Sequence, residues 1–115
     1  MSDSVGREWR FYIEDMIVFA GKVLEYTRGL SQEAFVSNRL TYDATLRNLE
    51  LIGEAATHIP ERVRESRQDI PWRMIIAVRN RLIHGYLGID DDTLWSIIQD
   101  DVPVLLPLLE SLRDT

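Results

Sequence analysis
The chain contains no cysteine, so neither a disulfide framework nor a thiolate metal site can form. Its two histidines, His58 and His84, stand far apart with no metal-ligand spacing around either. No apolar run approaches the roughly 20 residues that span a bilayer. The polar stretch from Met1 to Gly6 lacks the apolar core of a signal peptide. These absences set the expectations of a cytoplasmic protein, no membrane, no bound metal and no cofactor. Glycine and proline are sparse, 6 and 4 in the whole chain, so each serves as punctuation. Positive charge is in the minority, with 13 Lys and Arg against 19 Asp and Glu and a net charge of −6. That balance argues against bulk, non-specific binding to nucleic acid.

What is present is ordinary in amount and informative in order. The 115 residues are 45% apolar and 28% charged, which suits a single soluble domain over 1–115 with one modest core. Residues 1–6 are expected to be a disordered tail. The arginines cluster: Arg62, Arg64, Arg67, Arg73, Arg79 and Arg81 stand against Glu61, Glu65 and Asp69. Beyond them Asp90, Asp91, Asp92, Asp100 and Asp101 carry no base between them. An acidic chain with one basic segment can still hold a polyanion at one place, although such a segment is more often a solvated face.

Hydrophobic spacing divides the chain into helices. Over 7–28, Trp9, Ile13, Met16, Ala20, Val23 and Thr27 recur every three or four positions, with Phe11, Tyr12 and Phe19 widening the stripe. Gly29 is placed as a stop, and Ser31 with Glu33 as a restart. A second long helix spans 39–59, its face built from Tyr42, Leu46, Leu49, Ile52, Ala56 and Ile59. Its small residues Gly53, Ala55 and Ala56 would let another helix approach closely, and Pro60 ends it. Residues 61–70 suit a short helix and loop. Pro71 opens a third helix from Trp72 to about His84, which Gly85 and Gly88 close. Asp91 or Asp92 is expected to cap the last helix, whose stripe is Trp95, Ile98, Val102, Leu105, Leu109 and Leu112. Pro103 and Pro107 each remove a hydrogen bond, so that helix should be kinked or interrupted. No segment alternates at period two. The chain reads as an all-α bundle of four main helices.

The third helix carries the chemistry. At about 100° per residue, Ile75, Ile76, Leu82, Ile83 and, if the helix reaches it, Tyr86 share an apolar stripe with Arg79 in its middle. A guanidinium there needs a carboxylate, a backbone acceptor or an anionic ligand, because an unpaired buried charge is very costly. Asn80 and His84 share an adjoining face. One helix thus offers a permanent cation, an amide and an imidazole. That set suits metal-free cleavage of RNA, whose 2′-hydroxyl is a built-in nucleophile. A histidine moves the proton and an arginine stabilises the extra charge on phosphorus. Arg79 and His84 lie about 140° apart on an ideal helix. They converge only if the helix ends between them, or if two copies of the chain pool their residues. The same residues also admit a structural account: Arg79 paired with Glu50 or Glu54, His84 as a helix cap, and Tyr86 as a half-buried core edge.

The series Arg79, His84, Tyr86 fits the R-x4-H-x-Y motif of the HepT family, a branch of the HEPN helical domains. Around it stand Arg47-Asn48-Leu49-Glu50-Leu51-Ile52-Gly53-Glu54-Ala55-Ala56, Ile70-Pro71-Trp72 and Trp95-Ser96-Ile97-Ile98-Gln99-Asp100-Asp101-Val102-Pro103, and the chain resembles that family from roughly Phe11 to Leu112. The resemblance implies an up-and-down bundle of four to five helices that dimerises, with the motifs of both copies lining one cleft. Arg79 and His84 would be the catalytic pair of a ribonuclease, with Asn80 supporting them and Arg73 and Arg81 available to hold RNA. It further implies the toxin of a type VII toxin–antitoxin pair acting on tRNA or mRNA. Its partner would be an MntA-like nucleotidyltransferase, which uses ATP to place AMP on the motif tyrosine, Tyr86. The alternative role is a non-catalytic, nucleotide-binding partner subunit of such a nucleotidyltransferase.

Overall fold
The computed structural model describes residues 2–84 and 89–115, with side chains from Trp9 onward. Every regular element among them is helical. The first, α1 (Ser2–Thr27), is helical backbone from Ser2, across the segment expected to be a tail. Its stripe is the expected one: Trp9, Ile13, Met16, Ala20, Val23 and Thr27 are all buried. Thr27 hides its hydroxyl by donating to the Val23 carbonyl at 2.8 Å. Phe11 does not join this core and remains exposed. Gly29 then turns the chain with φ at +75°, a left-handed conformation that costs glycine little.

Side-chain caps start the next two helices. The Ser31 hydroxyl accepts from the Ala34 amide ahead of α2 (Gln32–Ser37), and the Asn38 carboxamide accepts from the Thr41 amide ahead of α3 (Arg39–Ala56). Each satisfies an amide that the helix itself leaves free. The regular part of α3 closes at Ala56, and a turn carries the buried Ile59 to Pro60. A short α4 (Glu61–Ser66) leads to α5 (Trp72–His84).

Two expectations for the last helix are refined. The cap is Asp90, not Asp91 or Asp92: its carboxylate accepts from the Thr93 amide at 2.7 Å and the Thr93 hydroxyl at 3.1 Å. A cap must sit in extended backbone, and Asp90 does, with φ −74° and ψ 162°. Asp91 and Asp92 fall in the first turn of α6 (Asp91–Ser96), where they face the positive end of the helix dipole. The interruption has a definite form, a wider π-helical turn over Ile97–Asp101, running into α7 (Val102–Arg113). Pro103 follows it after one residue, Val102, and its ring would strike the carbonyl one α-turn back. Pro107 lies inside α7 without ending it.

Packing places α1 between α3 and α7, and α3 between α1 and α5. The core runs through this series, from Ile13 and Met16 through Ile52 and Ala56 to Ile98, Leu105 and Leu109. A small cavity of about 20 Å³ remains where Leu49 and Ile52, Ile75 and Val78, and Val102 and Leu105 meet. The helix bearing the arginine–histidine series therefore rests mainly on α3, and α3 decides where its side chains go.

Candidate active site
The face that α5 buries is rotated from the one read off the wheel. Trp72, Ile75 and Val78 are buried, whereas Ile76 and Leu82 are half-buried and Ile83 is 39% exposed. The rotation follows from the approach of α3 at Gly53. A Cβ built on Gly53 would overlap the Cβ of Arg79 and stand 2.8 Å from the carbonyl oxygen of Ile75. Only a residue without a side chain lets the two backbones meet here. Arg79 is consequently held at the rim of the interface, its side chain 25% exposed.

From that rim the guanidinium reaches two partners. One terminal nitrogen donates to Glu54 Oε1 at 2.7 Å and the other to Asn80 Oδ1 at 2.9 Å. Nε is buried and has no partner among the described residues. Glu54 is thus the carboxylate, and Glu50, one turn earlier, is taken by Arg47 at 3.0 Å. The second Glu54 oxygen lies 3.5 Å from His58 Nε2. The His58 ring is stacked on Tyr12 of α1, with centroids 4.4 Å apart and planes 10° from parallel. From the sequence His58 reads as a helix cap with no function, and Tyr12 only as widening the apolar stripe of the first helix. The four-residue spacing from Glu54 to His58 was the available signal, since such pairs meet on a helix.

The hydrogen bond from Arg79 holds the Glu54 carboxyl below the usual carboxylate range, against partial desolvation that acts the other way. A carboxylate depressed in the folded state stabilises above its unfolded value and loses that contribution as pH falls through the folded value. The difference in melting temperature between the parent and Glu54→Gln is therefore expected to shrink as pH falls below about 4. Thermal melts across a pH series check this, and a difference independent of pH would contradict it.

His84 is the last residue of α5 and is exposed, and its side chain makes no hydrogen bond among the described residues. The helix continues unbroken from Arg79 to His84, so within one chain the two project about 140° apart. The structure brings Asn80 to Arg79, while His84, one turn beyond Asn80 on the same helix, projects away from Arg79. Arg73 and Arg81 are exposed, and neither takes part in an ion pair among the described residues. Tyr86 lies outside the described residues. Among them, no group of three or more His, Cys, Asp or Glu is placed to hold a metal ion, and no helix is long and apolar enough to cross a membrane.

An all-helical domain that presents arginine, asparagine and histidine along one helix has the form of a HEPN-type ribonuclease domain. Residues 16–112 match the family described as "Ribonuclease HepT-like", and the chain belongs to that family. A protein of Methanocaldococcus jannaschii named "Putative RNase MJ1380" is 37% identical over 84% of this chain and 89% of its own length. The "Probable ribonuclease HepT" of Thermococcus cleftensis is 36% identical over 93% of this chain and 97% of its own. "Putative RNase TTE0752" of Caldanaerobacter subterraneus is 34% identical over 84% of this chain and 86% of its own. No solved structure gave a significant match.

Proposed function
We propose that this chain is a metal-independent endoribonuclease, the toxin of a type VII toxin–antitoxin pair, acting as a homodimer on tRNA or mRNA. The observation that carries the reading is what α5 presents: an arginine with donors to spare and an exposed histidine at the helix end. Because α5 is continuous between them, the two meet only when a second copy faces the first. In that cleft the ribose 2′-oxygen attacks phosphorus, its proton passing to an imidazole of His84. The bond from phosphorus to the 5′-oxygen breaks, the leaving oxygen takes a proton from the imidazolium or from water, and a 2′,3′-cyclic phosphate is left on the upstream fragment. Arg79 meets the extra negative charge that builds on phosphorus between these events. The net charge of −6 favours a narrow substrate, such as tRNA, over any available strand.

Tyr86, two positions beyond His84 in sequence, is the proposed switch. An MntA-like nucleotidyltransferase would join the α-phosphorus of ATP to the tyrosine oxygen and release pyrophosphate. The resulting AMP brings a negative phosphate and a bulky base to the end of α5, opposing RNA by charge and volume. The test is cleavage of total tRNA in excess EDTA, before and after treatment with such a transferase and ATP. Cleavage in EDTA that disappears on AMP transfer supports the reading, and cleavage that needs added metal overturns it. Absence of cleavage by the unmodified protein would favour the nucleotide-binding partner subunit.

A further inference from the structure
We propose that Glu54 is a positioning residue that restrains the Arg79 guanidinium, so that Arg79 answers the charge of the transition state more than the charge of resting RNA. This inference rests on the ribonuclease reading of Arg79. The arrangement has three parts. Gly53 seats the root of the arginine side chain against α3, Glu54 takes one terminal nitrogen at 2.7 Å, and Asn80 takes the other at 2.9 Å. The carboxylate is itself held, because its second oxygen lies 3.5 Å from His58, and His58 is stacked on Tyr12.

A purely structural ion pair explains little of this. The Glu54 side chain is 46% exposed and that of Arg79 25%, and pairs so open to water contribute little to stability. The chemical consequence is larger. A carboxylate in contact with the guanidinium offsets its charge, so a singly charged phosphodiester must compete with Glu54 for the same donors. Phosphorus under attack carries a further negative charge and competes more successfully. An arginine left free would bind substrate and transition state alike, which lowers KM without raising kcat. One held back by a carboxylate spends its interaction where it speeds the reaction.

Glu54→Gln separates these cases, because it keeps the size and an acceptor oxygen but removes the charge. The measurements are kcat and KM for cleavage of an RNA oligonucleotide in EDTA, and the affinity for its uncleavable 2′-deoxy analogue. In Glu54→Gln, KM and the analogue's Kd are expected to fall about threefold and kcat to fall by up to the same factor, so that kcat/KM is not reduced. Adding Arg79→Ala should abolish the tightening. His58→Ala, at an exposed position, should shift both quantities the same way by a smaller factor. A merely structural role would lower kcat along with melting temperature and leave the analogue's Kd unchanged or weaker, and that result overturns the proposal. If the parent binds the analogue but cleaves no RNA, the ribonuclease reading fails on its own. The Kd comparison still decides whether Glu54 restrains Arg79, since tightening supports the restraint and unchanged affinity overturns it.

Discussion

Gly53→Ala is expected to damage both the fold and the site, although it adds a single methyl group at a helical position. Alanine is ordinarily the better helix former, by about 0.5–1 kcal/mol over glycine. Here the new Cβ would overlap the Arg79 Cβ and stand 2.8 Å from the Ile75 carbonyl. One obstacle is backbone and the other is the root of a side chain, so rotamer changes relieve neither. The helices α3 and α5 must separate or slide, and overpacking of this kind costs about 1–3 kcal/mol. The movement falls on the residue that places Arg79 against Glu54, and a displacement near 1 Å at a reacting centre can cost about 100-fold in rate. Gly21→Ala is the matched control, since a Cβ there meets nothing within 4 Å. It should raise stability by about 0.5–1 kcal/mol and leave cleavage unchanged. Urea denaturation and RNA cleavage of the two variants, measured side by side, check the pair of outcomes. A Gly53→Ala protein as stable and active as Gly21→Ala would refute the close approach.

The contrast between these glycines shows what could be read from the sequence and what could not. Small residues at Gly53, Ala55 and Ala56 announced a close helix neighbour, but not which helix or which side chain would press on it. The α1 and α7 stripes were legible because each helix buries one continuous face, and Ile13, Met16, Ala20, Val23, Leu105 and Leu109 are all buried. The α5 stripe was misplaced by part of a turn. Its apolar residues are spread widely around the helix, and only the approach of α3 selects Val78 over Ile83. The cap was ambiguous for a simpler reason: Asp90, Asp91 and Asp92 are chemically alike, and backbone dihedrals alone separate them. The site followed the same pattern. Residue types identified the chemistry of Arg79, Asn80 and His84, and spacing on the wheel showed that Arg79 and His84 diverge. Spacing could not choose between Glu50 and Glu54, because both lie on α3 one turn apart. The choice is made by Gly53, which seats the arginine beside Glu54, and by Arg47, which occupies Glu50.

Mixing two inactive variants should restore activity. Alone, His84→Ala is expected to lose about 10²–10⁴-fold in cleavage, the usual worth of a positioned proton-transfer group. Arg79→Ala should lose about 10²–10³-fold, the usual worth of one donor to developing charge. Both losses should come without unfolding, since His84 is exposed and Arg79 is only partly buried. Because α5 runs unbroken from Arg79 to His84, a working site would take its arginine from one copy and its histidine from the other. In a dimer of one Arg79→Ala chain and one His84→Ala chain, one composite site lacks both groups and the other keeps both. Equal amounts, unfolded and refolded together, give half mixed dimers by chance, each with one intact site of two. Cleavage should then recover to about one-quarter of the parent value in a two-fold symmetric dimer. If each chain built its own site, every site in every dimer would lack one group and no activity would return. Recovery near one-quarter would thus establish both the dimer and the exchange of residues across it, and a mixture as inactive as its components would remove the shared cleft from the mechanism.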